Sequence, residues 1–312
     1  MVQSSAGSVL HLGTRGSPLA LAQARTVQAR LAAAHGLDPA AIAICVIRTS
    51  GDRIQDRPLA ESGGKGLFTK EIEEALMCGE IDLAVHSAKD MPTVLPEGLA
   101  LVACLEREDP RDVLVSRVAS SLAGLPQGAR LGTASLRRQA MAKRLRPDLQ
   151  VETLRGNVET RLRRIDEGAF DATLLALAGL RRLGLDHAAT AVLDTDDFLP
   201  AVGQGVIVIE ARARDERTRQ YLAAIDHAET STALAVERAF LGVLDGSCRT
   251  PIGGHAIIDG SHVKFRGLIL KPDGSESHET TRAGDIADAI ALGADAGAEL
   301  KRRGGAGFFA QE

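Results

Sequence analysis

The fold is decided by the stretch Val9-Leu10-His11-Leu12-Gly13-Thr14-Arg15-Gly16-Ser17-Pro18, in which a strand pattern runs directly into a helix start. Val9–Thr14 is apolar enough for a buried strand. Ser17-Pro18 then combines a preferred N-cap residue with a proline suited to the first helical position. The helix pattern continues in Ala and Leu to His35, and Gly36 ends it. The stretch therefore predicts a strand–helix unit.

The same alternation continues along the chain. Further strands are predicted at Ala41–Thr49, Ile81–His86, Leu99–Leu105, Arg130–Thr133, Val151–Leu154, Ala172–Ala176 and Val206–Glu210. Further helices are predicted at Thr69–Cys78, Ser135–Arg146, Asn157 to Gly168, and Thr230–Leu244. Strands that alternate with helices favour an α/β fold with parallel sheets.

Two charged or glycine-rich crossings divide this pattern into two similar α/β lobes around a cleft. We place the crossings near residues 106–111 and 200–205, so that residues 1–105 and 206–226 form the first lobe and residues 106–205 the second. Residues 227–312 are predicted to form a smaller C-terminal α+β domain. Its elements are the strands Ala256–Asp259 and His262–Leu270 and a closing helix, Asp285–Arg303.

Charge is distributed unevenly in this acidic chain. The formal net charge is −4, yet residues 130–164 hold ten Lys and Arg against three acidic residues, a local charge of +7. A basic region in an acidic protein usually faces an anion. With one Tyr and no Trp, the chain offers few aromatic rings on which bases could stack, so nucleic acid is not expected as that anion.

Composition also limits the cellular setting. No apolar run is long enough to span a membrane, and residues 1–8 lack the features of a secretory signal. The four cysteines have no paired spacing, which indicates reduced thiols in a cytoplasmic protein, and no metal-ligand motif is found. Three of them, Cys45, Cys78 and Cys104, are interpreted as core or near-core residues. Nothing in the sequence demands an oligomer, so we expect a monomer.

One arrangement recurs at four strand ends: a hydroxyl or amide side chain and a cation stand just before a helix begins. The segments are Thr14-Arg15-Gly16-Ser17, Ser87-Ala88-Lys89-Asp90, Thr133-Ala134-Ser135-Leu136-Arg137-Arg138 and Arg155-Gly156-Asn157. Ligands of open α/β sheets bind beyond the carboxyl ends of the strands, and helix N-termini and arginine forks both attract anions. Taken together, the four segments predict a large polyanion pocket, although any one of them alone is equally well explained as a helix cap with a surface cation.

Three further residues carry possible chemistry. Lys65 stands among glycines in a segment typical of a mobile flap, since the phosphate-loop spacing is missing. Asp90 follows a buried strand beside Lys89 and could stabilise positive charge or move a proton, or it could be a simple ion-pair partner. Cys248 lies in a loop between a helix and a strand, where Arg249 favours the thiolate, although an isolated free cysteine is more often a packing residue.

The combination of these segments closely resembles the porphobilinogen deaminase family over nearly the whole chain. The motifs that carry the resemblance occur in order at Gly63–Phe68, Val85–Pro92, Gly132–Gln139, Leu154–Asn157, Pro200–Gly205 and the Cys248 loop. The resemblance implies a two-lobed, periplasmic-binding-protein-like architecture. It also implies a transferase of tetrapyrrole biosynthesis that condenses four porphobilinogen molecules into hydroxymethylbilane and releases ammonia.

The resemblance also assigns roles to residues. Asp90 is expected to be the catalytic carboxylate, and Cys248 is expected to hold a dipyrromethane cofactor through a thioether. A further set of residues is expected to bind the cofactor and the substrate, mainly by contacting the carboxylates of these ligands. They are Arg15, Ser17, Lys65, Ser87, Lys89, Thr133, Ser135, Arg137, Arg138, Arg155, Asn157, Arg161, Arg182 and Gln204. The chain departs from the usual motifs at Ala134, Glu61 and Arg249, of which Ala134 removes one hydroxyl.

Two rival interpretations remain at this point. A non-catalytic, two-lobed anion-binding protein would explain the cleft and its arginines but would leave Cys248 and Asp90 without a role. A nucleic-acid-binding protein would explain the basic region, yet its cations fall at strand ends rather than along one face.

Overall fold

The computed structural model describes residues 9–53, 69–245, 250–305 and 307–309. The strands in this part of the chain are β1 (Leu10–Thr14), β2 (Ile42–Val46), β3 (Leu83–Ser87), β4 (Leu99–Cys104), β5 (Asp112–Ser116), β6 (Arg130–Gly132), β7 (Gln150–Glu152), β8 (Ala172–Ala176), β9 (Ala191–Val192), β10 (Ile207–Arg212), β11 (Ile252–Asp259), β12 (His262–Leu270) and β13 (Ser277–Asp285). The α-helices are α1 (Pro18–His35), α2 (Ser50–Arg53), α3 (Lys70–Met77), α4 (Leu136–Leu145), α5 (Val158–Asp166), α6 (Leu177–Arg182), α7 (Glu216–Ala223), α8 (Ala228–Val243) and α9 (Ala289–Gly304).

Contacts divide the chain into two compact units. Unit 1 comprises Met1–Arg107 and Val206–Ser231, and unit 2 comprises Glu108–Gly205 and Thr232–Glu312. The predicted C-terminal domain therefore clusters mainly with the second lobe, and the division into three domains stays a prediction.

Local signals set the helix ends where the sequence predicts them. Ser17 caps α1 by accepting a hydrogen bond from the Ala20 backbone N–H at 3.3 Å, and Gly36 ends the helix in the left-handed conformation, with φ of 61°. Ser135 and Asn157 cap α4 and α5 in the same way. These helix starts place the preceding side chains at the ends of the neighbouring strands.

Unit 1 is built on a five-stranded sheet of order β2-β1-β3-β10-β4. β1 pairs in parallel with both β2 and β3, whereas β10 is antiparallel to β3 and β4. One face of the sheet packs against α1 in a cluster that includes Leu12, Val27 and Leu31. The other face packs against α3 in a cluster that includes Ile72 and Leu76. The carboxyl ends of β1 and β3 consequently meet at one edge of the sheet.

Unit 2 repeats this plan with a sheet of order β7-β6-β8-β5-β9. β6 pairs in parallel with β7 and β8, and β5 is antiparallel to β8 and β9. The prediction of parallel sheets is therefore confirmed only for the pairs β1–β2, β1–β3, β6–β7 and β6–β8, because both sheets are mixed. β5 and β10 each follow one of the two crossings rather than a helix of the same sheet, so the rule that a strand–helix–strand unit is parallel does not apply to them.

The C-terminal part of unit 2 is an antiparallel sheet of order β11-β12-β13, packed by α8 and α9. The sequence predicted only two strands there and began the closing helix at Asp285. In the structure Asp285 ends β13, and α9 begins at Ala289. β13 was missed because its residues are mostly polar and only Thr280 is buried, so it lacks the apolar alternation of a half-buried strand.

Glycine allows α9 to lie directly against the backbone of α8. A Cβ at Gly293 would collide with the Val236 carbonyl oxygen, and one at Gly297 would lie 2.8 Å from the Phe240 carbonyl oxygen. We expect Gly293→Ala to lower the free energy of unfolding by about 1–3 kcal/mol, because overpacking outweighs the better helix propensity of alanine.

Urea unfolding of Gly293→Ala and a matched variant, Gly242→Ala, checks this expectation. Gly242 lies in the partner helix α8, and nothing lies within 4 Å of its would-be Cβ. Alanine there should be neutral or stabilising by up to about 1 kcal/mol. Equal effects of the two substitutions would contradict the close-packing explanation.

None of the described helices is long and apolar enough to cross a membrane.

The predictions for Cys45, Cys78 and Cys104 have different outcomes. Cys45 and Cys104 are buried as expected, and burial raises the pKa of the Cys45 thiol. Cys78 is exposed, so its assignment to the core is wrong. It follows the last residue of α3 on the solvent side of that helix.

Candidate active site

A pocket in unit 1 brings together side chains from three elements. β1 and β3 are parallel neighbours, so Arg15 and Ser17 after β1 lie close to the residues at the end of β3. The residues of interest that line the pocket are Arg15, Ser17, Gln23, His86, Ser87 and Asp90. Four of these six were predicted from the sequence as site residues, so the structure unites the first two of the four strand-end segments.

Asp90 is the carboxylate of this pocket that can reach a ligand. It ends a short 3₁₀ turn, Ala88–Asp90, which follows β3, and its side chain is exposed. Within the part of the chain that the structure describes, no hydrogen bond or ion pair holds its carboxylate. A carboxylate in this position can pair with positive charge on a bound molecule or accept a proton from it.

Gln23 is a pocket residue that the sequence analysis missed. It lies on α1 and is only 2% exposed, and its Nε2 donates a hydrogen bond to Ser87 Oγ at 2.8 Å. The contact ties the start of α1 to the end of β3. The sequence did contain a signal for this position. Gln23 lies four residues before Val27 and eight before Leu31, so it falls on the same buried face of α1.

In unit 2, Asp112 organises the two arginines of the third strand-end segment. Its Oδ2 accepts from Arg137 Nη2 at 2.7 Å, and its Oδ1 accepts from Arg138 Nε and Nη2 at 3.0 and 2.7 Å. Gln204 Nε2 also donates to Oδ1 at 3.0 Å and to the Pro110 carbonyl at 2.7 Å. Asp112 thus joins β5, α4 and the second crossing.

This cluster is buried and contains more positive than negative charge. Asp112 is fully buried, and Arg137 and Arg138 are 4% and 5% exposed. Burial alone would raise the pKa of Asp112, but the charges and hydrogen bonds of both arginines hold the pKa at about 2. Two guanidinium groups share one carboxylate, and Arg137 Nε is buried without a hydrogen-bond partner in the described chain.

The unbalanced charge and the unpaired Nε suit a second carboxylate, the group that a dipyrromethane carries in several copies. The residues present therefore fit such a cofactor. The assignment of Arg137 and Arg138 to acetate and propionate groups stays a prediction. It has to take into account that three of their nitrogen atoms, Arg137 Nη2 and Arg138 Nε and Nη2, already donate to Asp112.

The other predicted residues of unit 2 have structural contacts of their own. Thr133 Oγ1 accepts from the Ser135 N–H at 3.2 Å, and Arg161 Nε donates to the Gly156 carbonyl at 3.0 Å. Arg155 is half-buried beside Gly156. Arg182 donates to the Gly205 carbonyl at 2.6 Å, and desolvation lowers its pKa to about 10. Their carboxylate-binding roles stay predictions, as does that of Lys89, which is half-buried in unit 1.

Asp112 was missed because the sequence analysis assigned its surroundings to a charged hinge. The apolar run Val113-Leu114-Val115 directly after it was the available signal for a strand. Lys65 and Cys248 lie outside the described residues, as do Glu61 and Arg249. Their predicted roles rest on the sequence.

Matches to known proteins cover nearly the whole chain. The model of the porphobilinogen deaminase dipyromethane cofactor binding domain matches residues 10–220, and that of the porphobilinogen deaminase C-terminal domain matches residues 231–302. The porphobilinogen deaminase of Nitrobacter winogradskyi is 64% identical over 298 residues, which is 96% of this chain and 94% of the relative. That of Nitrobacter hamburgensis is 62% identical with the same coverage.

Solved structures give a weaker likeness. A methionine-binding protein matches 73% of this chain and 94% of its own chain, with 16% identity and a TM-score of 0.44. The two domain matches and the identity to the Nitrobacter proteins establish that the chain belongs to the porphobilinogen deaminase family.

Proposed function

We propose that this protein condenses four porphobilinogen molecules head to tail into hydroxymethylbilane, with one ammonia lost from each. The observation that carries the proposal is the family match, which spans residues 10–220 and 231–302. The pocket of unit 1 supports it, because the exposed carboxylate of Asp90 and the cation of Arg15 line the same pocket, which suits a substrate that carries both kinds of charge. The rival of a purely binding protein gives no role to that carboxylate.

Asp90 acts on the reacting pyrrole. When the C–N bond of the aminomethyl group breaks, its electron pair leaves with ammonia and positive charge develops on the pyrrole. The Asp90 carboxylate stabilises that charge, and the effect is large because the group is fixed in place before the reaction. After the new C–C bond forms, the attacked ring carbon loses a proton, and the same carboxylate can accept it.

Cations hold the acetate and propionate groups of the substrate. Arg15 lines the same pocket as Asp90, which supports its placement nearest the reacting unit. Arg155 is proposed for the same role in unit 2. A guanidinium fork can grip a carboxylate with two parallel hydrogen bonds, which fixes the ring as well as binding it. Replacing either residue should therefore affect substrate binding or chain extension more than stability.

The cofactor of the family supplies the covalently held pyrrole end onto which substrate units are added. Cys248 would hold it through a thioether, since a thiolate is the nucleophilic form of cysteine and Arg249 favours that form. Arg137 and Arg138 would hold its carboxylates, because their cluster has an excess of positive charge.

Intact mass is the direct test of this proposal. The purified protein should be heavier than its sequence by two condensed pyrrole units, and the Cys248→Ser variant should lack this excess. Cys78→Ser is a matched control, because that thiol is exposed but belongs to no predicted site. The control variant should keep the excess and turn over porphobilinogen normally.

An unmodified mass requires one further step, which is incubation with porphobilinogen before measurement. Mass gained only when Cys248 is present supports the enzyme. No gain at all would contradict the proposal and favour the anion-binding protein. The cytoplasmic location, the monomeric state and the absence of a nucleic-acid partner stay predictions from the sequence.

A further inference from the structure

Three ionisable side chains are buried together behind the pocket of unit 1. Glu73 on α3 is 7% exposed, His86 on β3 is 6% exposed and Glu210 on β10 is fully buried. Val208 pairs with His86, and Glu210 pairs with Ala84, so His86 and Glu210 lie on the same face of the sheet. His86 Nε2 is 3.1 Å from Glu210 Oε2. α3 packs onto this face and brings Glu73 towards both.

Stability does not explain these residues. Next to them this face is apolar, with Ala84 of β3 in the same buried cluster as Ile72 and Leu76 of α3. Burial raises the pKa of Glu73, and the negative charge of Glu210 raises it further. One carboxylate oxygen each of Glu73 and Glu210 is buried without a hydrogen-bond partner in the described chain. Well-packed apolar residues in place of such a group are often neutral or stabilising, so its presence calls for another reason.

The position of His86 close to Asp90 in the chain and in the pocket supplies that reason. His86 lines the pocket together with Asp90, and β3 continues from His86 through Ser87 into the turn that ends at Asp90. The contact with Glu210 fixes one ring nitrogen, so the orientation of the imidazole is set by a residue of the neighbouring strand β10.

We propose that His86, held by Glu210, is a positioning residue for Asp90: the pair fixes the end of β3 and thereby the place of the catalytic carboxylate. The inference rests on the proposed function, since it gives Asp90 its part in porphobilinogen condensation. A small displacement of a catalytic group lowers the reaction rate steeply. Substrate binding by the surrounding cations is much less sensitive to such a displacement. The pair should therefore influence kcat far more than KM.

The test compares His86→Gln and Glu210→Gln with a matched control, His11→Gln. His11 also belongs to unit 1 and also pairs with a carboxylate, its Nδ1 lying 3.4 Å from Asp82 Oδ2, but it is not among the residues that line the pocket. We expect kcat to fall about 10- to 100-fold in the two pocket variants, with KM changed less than about threefold. The control should keep kcat, and all variants should keep the mass excess.

Combination with Asp90→Asn separates positioning from a purely structural role. If His86 acts through Asp90, adding His86→Gln to Asp90→Asn should change the residual rate by less than about twofold, although the melting temperature still falls. A further loss as large as in the wild-type background would overturn the proposal, as would a normal kcat in His86→Gln and Glu210→Gln. A wild type that neither carries the mass excess nor consumes porphobilinogen would instead contradict the proposed function.

Discussion

Asp90→Asn is expected to lower kcat by about 10²- to 10⁴-fold while the protein remains folded. The substitution keeps the size of the side chain but removes the negative charge that faces the developing cation. Asp90 is exposed, and no described residue depends on its carboxylate for a hydrogen bond or an ion pair, so the melting temperature should change little. Steady-state turnover of porphobilinogen and a thermal melt on the same preparation measure both effects.

Glu97→Gln serves as the control, because Glu97 is another exposed carboxylate of unit 1 and is not a pocket residue. It should retain normal turnover. The cofactor mass excess distinguishes a catalytic defect from failed cofactor assembly. If the Asp90→Asn variant carries the mass excess but does not turn over porphobilinogen, the defect lies in the reaction. Near-normal turnover would remove Asp90 from its proposed role.

Asp112→Asn is expected to lower the free energy of unfolding by about 3–5 kcal/mol, because it leaves two buried guanidinium groups without their counter-charge. It should also reduce cofactor loading, since Arg137 and Arg138 lose the group that orients them. Urea unfolding measures the first effect, and the mass excess of protein purified at low temperature measures the second.

The pH dependence of unfolding provides a second reading of the same residue. The pKa of Asp112 is about 2 in the folded protein, below its ordinary value of 3.8. As the pH falls, the Asp112 carboxylate therefore becomes protonated in the unfolded chain before it does in the folded protein. The stabilisation that the ionised carboxylate gives is complete above about pH 4 and is lost as the pH falls towards 2. Asp112→Asn should flatten the loss of stability over this interval.

Glu167→Gln is the matched control for both measurements, because Glu167 also pairs with two arginines, Arg163 at 3.7 Å and Arg164 at 3.5 Å, but all three side chains are exposed. Its effect on stability should be much smaller, since water and ions screen exposed pairs. Equal effects of the two substitutions on the free energy of unfolding would contradict the explanation that burial makes the Asp112 cluster more important than an exposed ion pair.

Much of the fold could be predicted because its signals are local. Ser17, Ser135 and Asn157 begin helices where their side chains can accept from backbone N–H groups two or three residues later. Gly36 ends α1 because it enters the left-handed region without strain. Apolar runs gave most of the strands of the two larger sheets. Each of these signals involves neighbours in sequence.

Strand direction and the third C-terminal strand could not be predicted in this way. β10 pairs with β3, more than a hundred residues earlier, and no local pattern states whether that pairing is parallel or antiparallel. β13 is held by its neighbour β12 and by ion pairs such as that of Arg282 with Glu299. Its sequence therefore resembles a polar loop.

The sequence by itself determined the family, the expected chemistry and most residues proposed to carry it, because motifs keep their order and spacing along the chain. Only the tertiary structure showed that Arg137 and Arg138 share one buried carboxylate, that Gln23 holds Ser87, and that Glu210 supports His86. Asp112 and Glu210 are charged residues at or within apolar strands, and nothing local reveals their partners. Those partners are brought within hydrogen-bonding distance by sheet pairing and helix packing, which act between segments far apart in sequence.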